Sequence, residues 1–260
     1  VRGINIQGDP GTWSMPRTFT INTAKDWTFM VYLAGDNSLE NTALDDFKEM
    51  AYVGSDSHVN IVVQLDRNPD PGSDTSFDDW SSTKRYYITK DMTPTNINAL
   101  QDLGELNMGD PATLQDFITW AKIYYPANKY ALVLWNHGET MSIRNMNLEK
   151  MQGIAWDDSN DNDFLSNTEI STGLANVTSN GAKKLEMIGF DASLMAQMEV
   201  FQHVKAYAKT AAGSEASEPK DGWPYYDILN ALVAHPDWDG VLLSKEVVNQ
   251  YYFAWDYPQS

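Results

Sequence analysis

Six short runs rich in apolar, aromatic and β-branched residues limit this sequence to few architectures. They are Trp27–Ala34, Val59–Asp66, Lys84–Thr89, Tyr130–His137, Leu185–Ser193 and Tyr207–Gly213, each of strand length and composition. Stretches of helical period separate them. Ser38 to Tyr52 places Leu39, Ala43, Leu44, Phe47 and Met50 on one face. A helix opens at Pro111, behind Asp110 as N-cap, and runs to about Tyr125. Ser166-Asn167-Thr168-Glu169 reads as a capping box opening a helix to about Val177. Further helices are expected from Leu194 to about Lys205 and over 225–234 and 241–255. Strands alternating with amphipathic helices form βαβ units. The predicted fold is therefore α/β, with a mostly parallel sheet covered on both faces. Residues 1–25, with Gly3, Gly8, Pro10, Gly11 and Pro16, read as an irregular N-terminal arm. No linker divides residues 26–260, which read as a single domain.

Composition narrows the function classes. A formal charge of −18 opposes nucleic-acid binding, which needs a basic surface. It suits a cationic substrate, and equally it keeps a protein in solution. No run approaches the length of a membrane span, so no membrane insertion is expected. The chain has no cysteine, which removes disulfides and thiolate zinc sites. It starts at Val1 with no signal peptide, as a mature or trimmed form would.

Two strand ends carry the chemistry. Leu185-Glu186-Met187-Ile188-Gly189-Phe190 stops abruptly at Asp191-Ala192-Ser193, and Leu194 onward reads as a helix start. A strand entering a helix N-terminus at the carboxyl edge of a parallel sheet is a useful place for a nucleophile. Backbone N–H groups there can stabilise a developing anion. About 50 residues earlier, Tyr130–Asn136 ends in His137-Gly138. Alone, His137 would read as a polar strand cap. The glycine after it lets a backbone N–H approach a substrate closely.

Leu134-Trp135-Asn136-His137-Gly138 and Ile188-Gly189-Phe190-Asp191-Ala192-Ser193-Leu194-Met195 resemble the histidine and nucleophile blocks of the clostripain family, in the caspase-like clan of cysteine peptidases. The likeness extends to Tyr32–Glu40 and through Ser217-Glu218-Pro219 to Gly222-Trp223-Pro224-Tyr225, over residues 25 to 255. One residue departs from it: Ser193 stands where the family has its nucleophilic cysteine. The resemblance implies a caspase-like three-layer α/β/α sandwich with a six-stranded sheet. It implies that the C-terminus here is a truncation, since family members usually continue further. It also implies a secreted or cell-envelope bacterial endopeptidase. His137 and Ser193 would be catalytic, and the backbone N–H groups of Gly138 and Ser193 would form the oxyanion hole.

A serine hydroxyl is far less acidic than a thiol, and a site shaped for thiolate rarely activates it. The Ser193 form is thus expected to be inactive. An engineered Cys-to-Ser change fits the otherwise intact site better than a natural pseudopeptidase that binds basic peptides without cutting. A flavodoxin-like nucleotide domain is disfavoured, because Gly35-Asp36-Asn37 is too short and too acidic for a phosphate loop.

Asp191 and Asp221 are the specificity candidates, two carboxylates that would select Arg or Lys at P1, with Trp223 as a pocket wall. The family's basic preference agrees. A polypeptide with basic P1 is then the expected partner. Lys150, ahead of Arg144, is the expected self-processing site in the loop after His137. The product would be a heterodimer of the chain's own fragments, and the uncut form a monomer. No cofactor is expected to be required. Calcium enters only through Asp158, Asn160, Asn162 and Glu169, which nearly fit a calcium loop. Asp163 stands where that loop needs glycine, and the capping box already explains Glu169, so the structural explanation is preferred.

Overall fold

The computed structural model describes residues 24–69, 74–138 and 153–256. β1 (Lys25–Gly35) lies at the middle of a seven-stranded sheet. On one side come β2 (Val59–Arg67), β3 (Thr83–Tyr87) and the two-residue β4 (Gln101–Asp102). On the other come β5 (Ala127–Trp135), β8 (Leu185–Asp191) and β9 (Ala208–Ala212). β2, β1, β5, β8 and β9 are parallel; β3 and β4 are antiparallel. The seventh strand is β4, too short to leave a periodic signal. A separate hairpin, β6 (Gly153–Asp157) and β7 (Asp163–Ser166), does not pair with the sheet but is bonded to the ends of β1 and β5 through Asn37 and Asn136.

Period-two alternation divides the sheet between two cores. Trp27, Phe29, Val31 and Leu33 of β1 pack with α1 (Glu40–Val53), α5 (Tyr225–Ala234) and α6 (Gly240–Tyr251). Met30, Tyr32 and Ala34 point the other way, to α2 (Pro111–Tyr124), α3 (Asn167–Val177) and α4 (Met198–Val204). Ala131, Val133 and Trp135 of β5 share the first core, and Leu132 and Leu134 the second. The result is the expected three-layer α/β/α sandwich.

Helix starts follow local chemistry. Asp110 accepts from the Ala112 N–H at 2.7 Å ahead of Pro111. Ser166 and Glu169 close the capping box of α3. One expected junction is different. β8 stops at Asp191, two residues before Ser193, and α4 does not start until Met198. Between them Leu194 has φ +63°, and its N–H donates to the Ala216 carbonyl at 3.0 Å. Ala196 N–H donates to the Ser214 carbonyl at 2.9 Å. The chain after β8 is thus drawn sideways onto the loop after β9, and Ser193 is not at a helix N-terminus. No helix among the described residues is long and apolar enough to cross a membrane.

Candidate active site

The order of strands reverses at β1, so the connections from β1 to β2 and onward to β5 leave in opposite directions. A crevice opens at the carboxyl edge of the sheet at such a point. The register of β5 with β8 pairs Trp135 with Asp191. His137 and Ser193 therefore each lie two residues beyond a matched pair on adjacent parallel strands. Both line one cavity of about 470 Å³, together with Ser38, Asn136, Asp191 and Glu218.

Gly138 shows why this position carries no side chain. A Cβ there would lie 1.8 Å from the Ser193 carbonyl oxygen and 2.6 Å from its nitrogen. Only glycine lets the His137 segment rest against the backbone of Ser193. Asn136 anchors the strand end, donating from Nδ2 to the carbonyls of Ala34 (2.7 Å) and Trp156 (3.1 Å). His137 Nε2 lies 3.0 Å from Ser38 Oγ. Desolvation lowers the His137 pKa, opposed by the charge of Asp158. Its neutral form, the one able to accept a proton, is therefore favoured.

Ser193 Oγ accepts from the Glu218 N–H at 2.9 Å. Asp191 is buried and accepts from the Trp223 N–H at 3.1 Å through Oδ1. That contact requires Gly222, whose φ is +57° and whose Cβ would sit 2.7 Å from the same oxygen. Asp191 Oδ2, Glu218 Oε2 and the Tyr225 hydroxyl are all buried without a well-formed partner. Burial raises both carboxyl groups well above the usual range, and for Glu218 the charge of Asp191 adds to it. The cavity thus holds a closely coupled acidic pair with unused acceptor capacity, the arrangement that receives a cationic side chain.

Two expected pocket residues lie elsewhere. Asp221 is exposed and lines a neighbouring cavity of about 520 Å³, with Asp45, Asp46 and Glu49. The positive φ of Gly222 turns the chain between the two cavities. Trp223 is no pocket wall. It is 2% exposed in the first core, and a Cβ on Gly189 would lie 2.6 Å from its ring. β8 carries a glycine to admit that ring. Its contribution to the site is its backbone N–H.

Sequence reasoning assigned no role to Ser38 or Glu218. Their only signal was membership of the blocks Tyr32–Glu40 and Ser217-Glu218-Pro219. Lys150 and Arg144 lie outside the described residues. The residues of the near calcium loop have other partners, in keeping with the structural explanation preferred for them. Glu169 accepts from Ser166 N–H (2.9 Å) and Oγ (2.6 Å), and Asn160 turns back to donate to Asp157 Oδ1 at 3.0 Å. Asp158 and Asn162 lie in the turn of the β6–β7 hairpin.

Comparison with known proteins bears on both the fold and the family. Clostripain of Hathewaya histolytica is 35% identical over 188 residues, covering 66% of this chain and 35% of that protein. A secreted C11 cysteine protease from Bacteroides thetaiotaomicron, solved with an irreversible peptide inhibitor, superposes with TM-score 0.65 at 25% identity. The match covers 88% of this chain and 58% of that one. An inactive zymogen C11 protease from Parabacteroides distasonis shares the fold, with TM-score 0.66 at 20% identity over 91% of this chain and 60% of its own. The chain spans about a third of the length of clostripain and under two thirds of either solved chain. The model of the clostripain family matches residues 31–257, and with that match the chain belongs to the clostripain family of C11 cysteine peptidases.

Proposed function

We propose that this chain is the catalytic unit of a cysteine endopeptidase that cleaves after Arg or Lys, with Ser193 at the nucleophile's position and hydrolysis blocked by that residue. The observation that carries the reading is the placement of His137 and Ser193, each two residues beyond the Trp135–Asp191 pair, above the buried carboxyls of Asp191 and Glu218.

With cysteine at position 193, neutral His137 takes the thiol proton. The thiolate attacks the scissile carbonyl carbon, and the backbone N–H groups of Gly138 and residue 193 receive the oxyanion. The imidazolium returns its proton to the leaving amine as the C–N bond breaks. Water, deprotonated by the same imidazole, then hydrolyses the thioester and frees the thiol. Ser38, 3.0 Å from Nε2, orients the ring in the resting site. With serine at 193, proton removal is too costly for a neutral imidazole aligned in this way, and the first step stalls.

Asp191 and Glu218 supply basic P1 selection. An incoming guanidinium or ammonium offers each unpartnered oxygen a charge-assisted donor. Asp221, at the edge of the adjoining acidic cavity, contributes long-range attraction only. Lys150, then Arg144, are the bonds an active form would cut in itself. Covalent capture tests the reading. Ser193→Cys protein treated with an arginyl acyloxymethyl ketone should gain one peptidyl ketone by intact mass, as sulfur displaces the carboxylate leaving group. The Ser193 parent should gain none. Equal labelling of both, or of neither, contradicts the assignment.

A further inference from the structure

An indole from the tail of α6 reaches the loop that arches over the site. At one end of that arch the Glu218 N–H donates to Ser193 Oγ at 2.9 Å. At the other the Trp223 N–H donates to Asp191 Oδ1 at 3.1 Å. Between them the Gly222 N–H closes a turn onto the Pro219 carbonyl at 3.1 Å. The Gly222 carbonyl is taken by Trp255, whose Nε1–H donates to it at 2.9 Å from 33 residues further along the chain. Trp255 lies in a single wide turn of π type, Tyr252–Asp256, that follows α6. Leu243 and Val247 anchor α6 in the first core.

The Gly222 carbonyl and the Trp223 N–H belong to one peptide group. Such a group is planar, and in the trans form found here its C=O and N–H point in opposite directions. A donor fixed on the carbonyl therefore sets the line along which the N–H points. It also polarises the group and so strengthens the N–H as a donor. Glycine alone does not set that line. At φ +57° and without a Cβ, Gly222 lets the adjoining peptide turn with little steric resistance.

We propose that Trp255 is a positioning residue of the P1 pocket: by holding the carbonyl of the Gly222–Trp223 peptide, it aims the N–H of that peptide at Asp191. Its effect on selectivity rests on the reading of Asp191 as a P1 carboxylate; its effect on Asp191 does not. Burial pushes Asp191 up to about 7, and the Trp223 N–H opposes that rise by favouring the charged form. The other groups acting on Asp191 are Glu218 from the arch, Tyr225 from α5, and Asp46 and Glu49 from α1. His137 and Lys220 line the same cavity. Replacing Trp255 alters none of these side chains. It removes only the hold on the peptide, so Asp191 should ionise at higher pH and bind a cation less well near neutrality.

The test is Trp255→Phe, which keeps an aromatic ring on the turn and removes the donor. In the Ser193 protein, labelled with ¹³C at aspartate carboxyls, the Asp191 resonance should titrate with its midpoint raised by at least about 0.5 pH. In the Ser193→Cys background the same change should raise KM on arginyl reporters at pH 7 by roughly 3–10-fold, the worth of one hydrogen bond. It should change kcat less than about threefold, because the lost interaction serves binding. Phe253→Leu, on the same exposed turn, should leave both the Asp191 midpoint and KM unchanged. A Trp255→Phe protein that is merely less stable in thermal scans, with Asp191 titrating as in the parent, would overturn the proposal. So would a fall in kcat with KM unaltered. If the Ser193→Cys parent cleaves no basic reporter, the peptidase reading fails, and the Asp191 titration alone decides the role of Trp255.

Discussion

Glu218 and Asp191 face the same cavity, and their burial has a consequence that depends on pH. Burial pushes Asp191 up to about 7 and Glu218 up to about 9. A carboxyl whose pKa is higher folded than unfolded gives its full stabilisation below the unfolded value. That stabilisation is lost as pH rises through the folded value. The pair should therefore weaken the ligand-free fold from about pH 4 to about pH 9. Glu218→Gln removes part of that slope. Its unfolding midpoint relative to the parent should rise as pH increases, measured by thermal scans at constant ionic strength; a constant gap would show that Glu218 does not titrate in the fold. Under the proposed function the same pair would govern selectivity in the thiol form. Asp191→Asn or Glu218→Gln should lower kcat/KM on arginyl reporters by about 2–5 kcal/mol, the range for breaking one desolvated charge pair. Asp221→Asn should cost less than about 1 kcal/mol, because its exposed charge is screened. If Asp221→Asn proves as damaging as Glu218→Gln, the floor of the cavity has been misassigned.

At the scale of the elements, β5 and β8 bring the chemistry together by ending in register, and Gly138 lets the two ends touch. Gly138→Ala in the thiol background places a methyl group where the carbonyl of residue 193 now sits. It should lower kcat/KM by roughly 10²–10³ or more, the worth of an oxyanion donor, and lower the thermal midpoint as well, because the two strand ends must part to admit the methyl group. Activity within a few-fold of the parent would separate Gly138 from the oxyanion hole. The elements also show what a single sequence can reveal. Strand positions and the caps at Asp110 and Ser166 were legible because their causes are local: β-rich apolar runs, and a side chain bonding an N–H two or three residues on. The end of β8 was not legible. It is set by Leu194 and Ala196 pairing with Ala216 and Ser214, a contact made only after β9 has docked. Trp223 misled for a related reason. An indole in a family block reads equally as pocket wall or as core, and only Gly189 across the sheet decides it. The meeting of His137, Gly138 and Ser193 at one edge of the sheet was legible because each sits at the end of a run. The clustering of Asp36, Asp66, Glu105 and Asp157 at the carboxyl edge of the sheet was not, because these residues share no spacing and meet only through the topology.

At the scale of the whole molecule, the segment that separates the two site-bearing strands runs from His137 to β6. It contains Lys150 and Arg144, both outside the described residues. Cleavage there would leave β1 to β5 in one fragment and β8 and β9 in the other, joined along the β5–β8 ladder. A tethered bond meets its own active site at high effective concentration, so a basic-specific enzyme should cut itself. Ser193→Cys protein should therefore run as two fragments on a denaturing gel but as one species by gel filtration. Mass spectrometry should place the new N-terminus after Lys150, or after Arg144 in its place. Replacing both with alanine should keep the chain whole. A thiol form that hydrolyses reporters yet remains intact on long incubation would remove self-processing and leave the peptidase reading standing.

The central claim is that the site is complete except for one atom, and the hydrolysis rate of the thiol form tests it most directly. Purified Ser193→Cys protein should be assayed beside the Ser193 parent and the Ser193→Cys, His137→Ala double variant, on short reporters ending in Arg, Lys or Ala at P1. The thiol form should cleave Arg or Lys reporters with saturable kinetics and leave the Ala reporter nearly untouched. The parent should show no turnover. Loss of His137 should lower the rate by roughly 10²–10⁴, the usual worth of a general acid–base. A correctly folded thiol form that hydrolyses none of the basic reporters, or one whose rate ignores the loss of His137, would contradict the account.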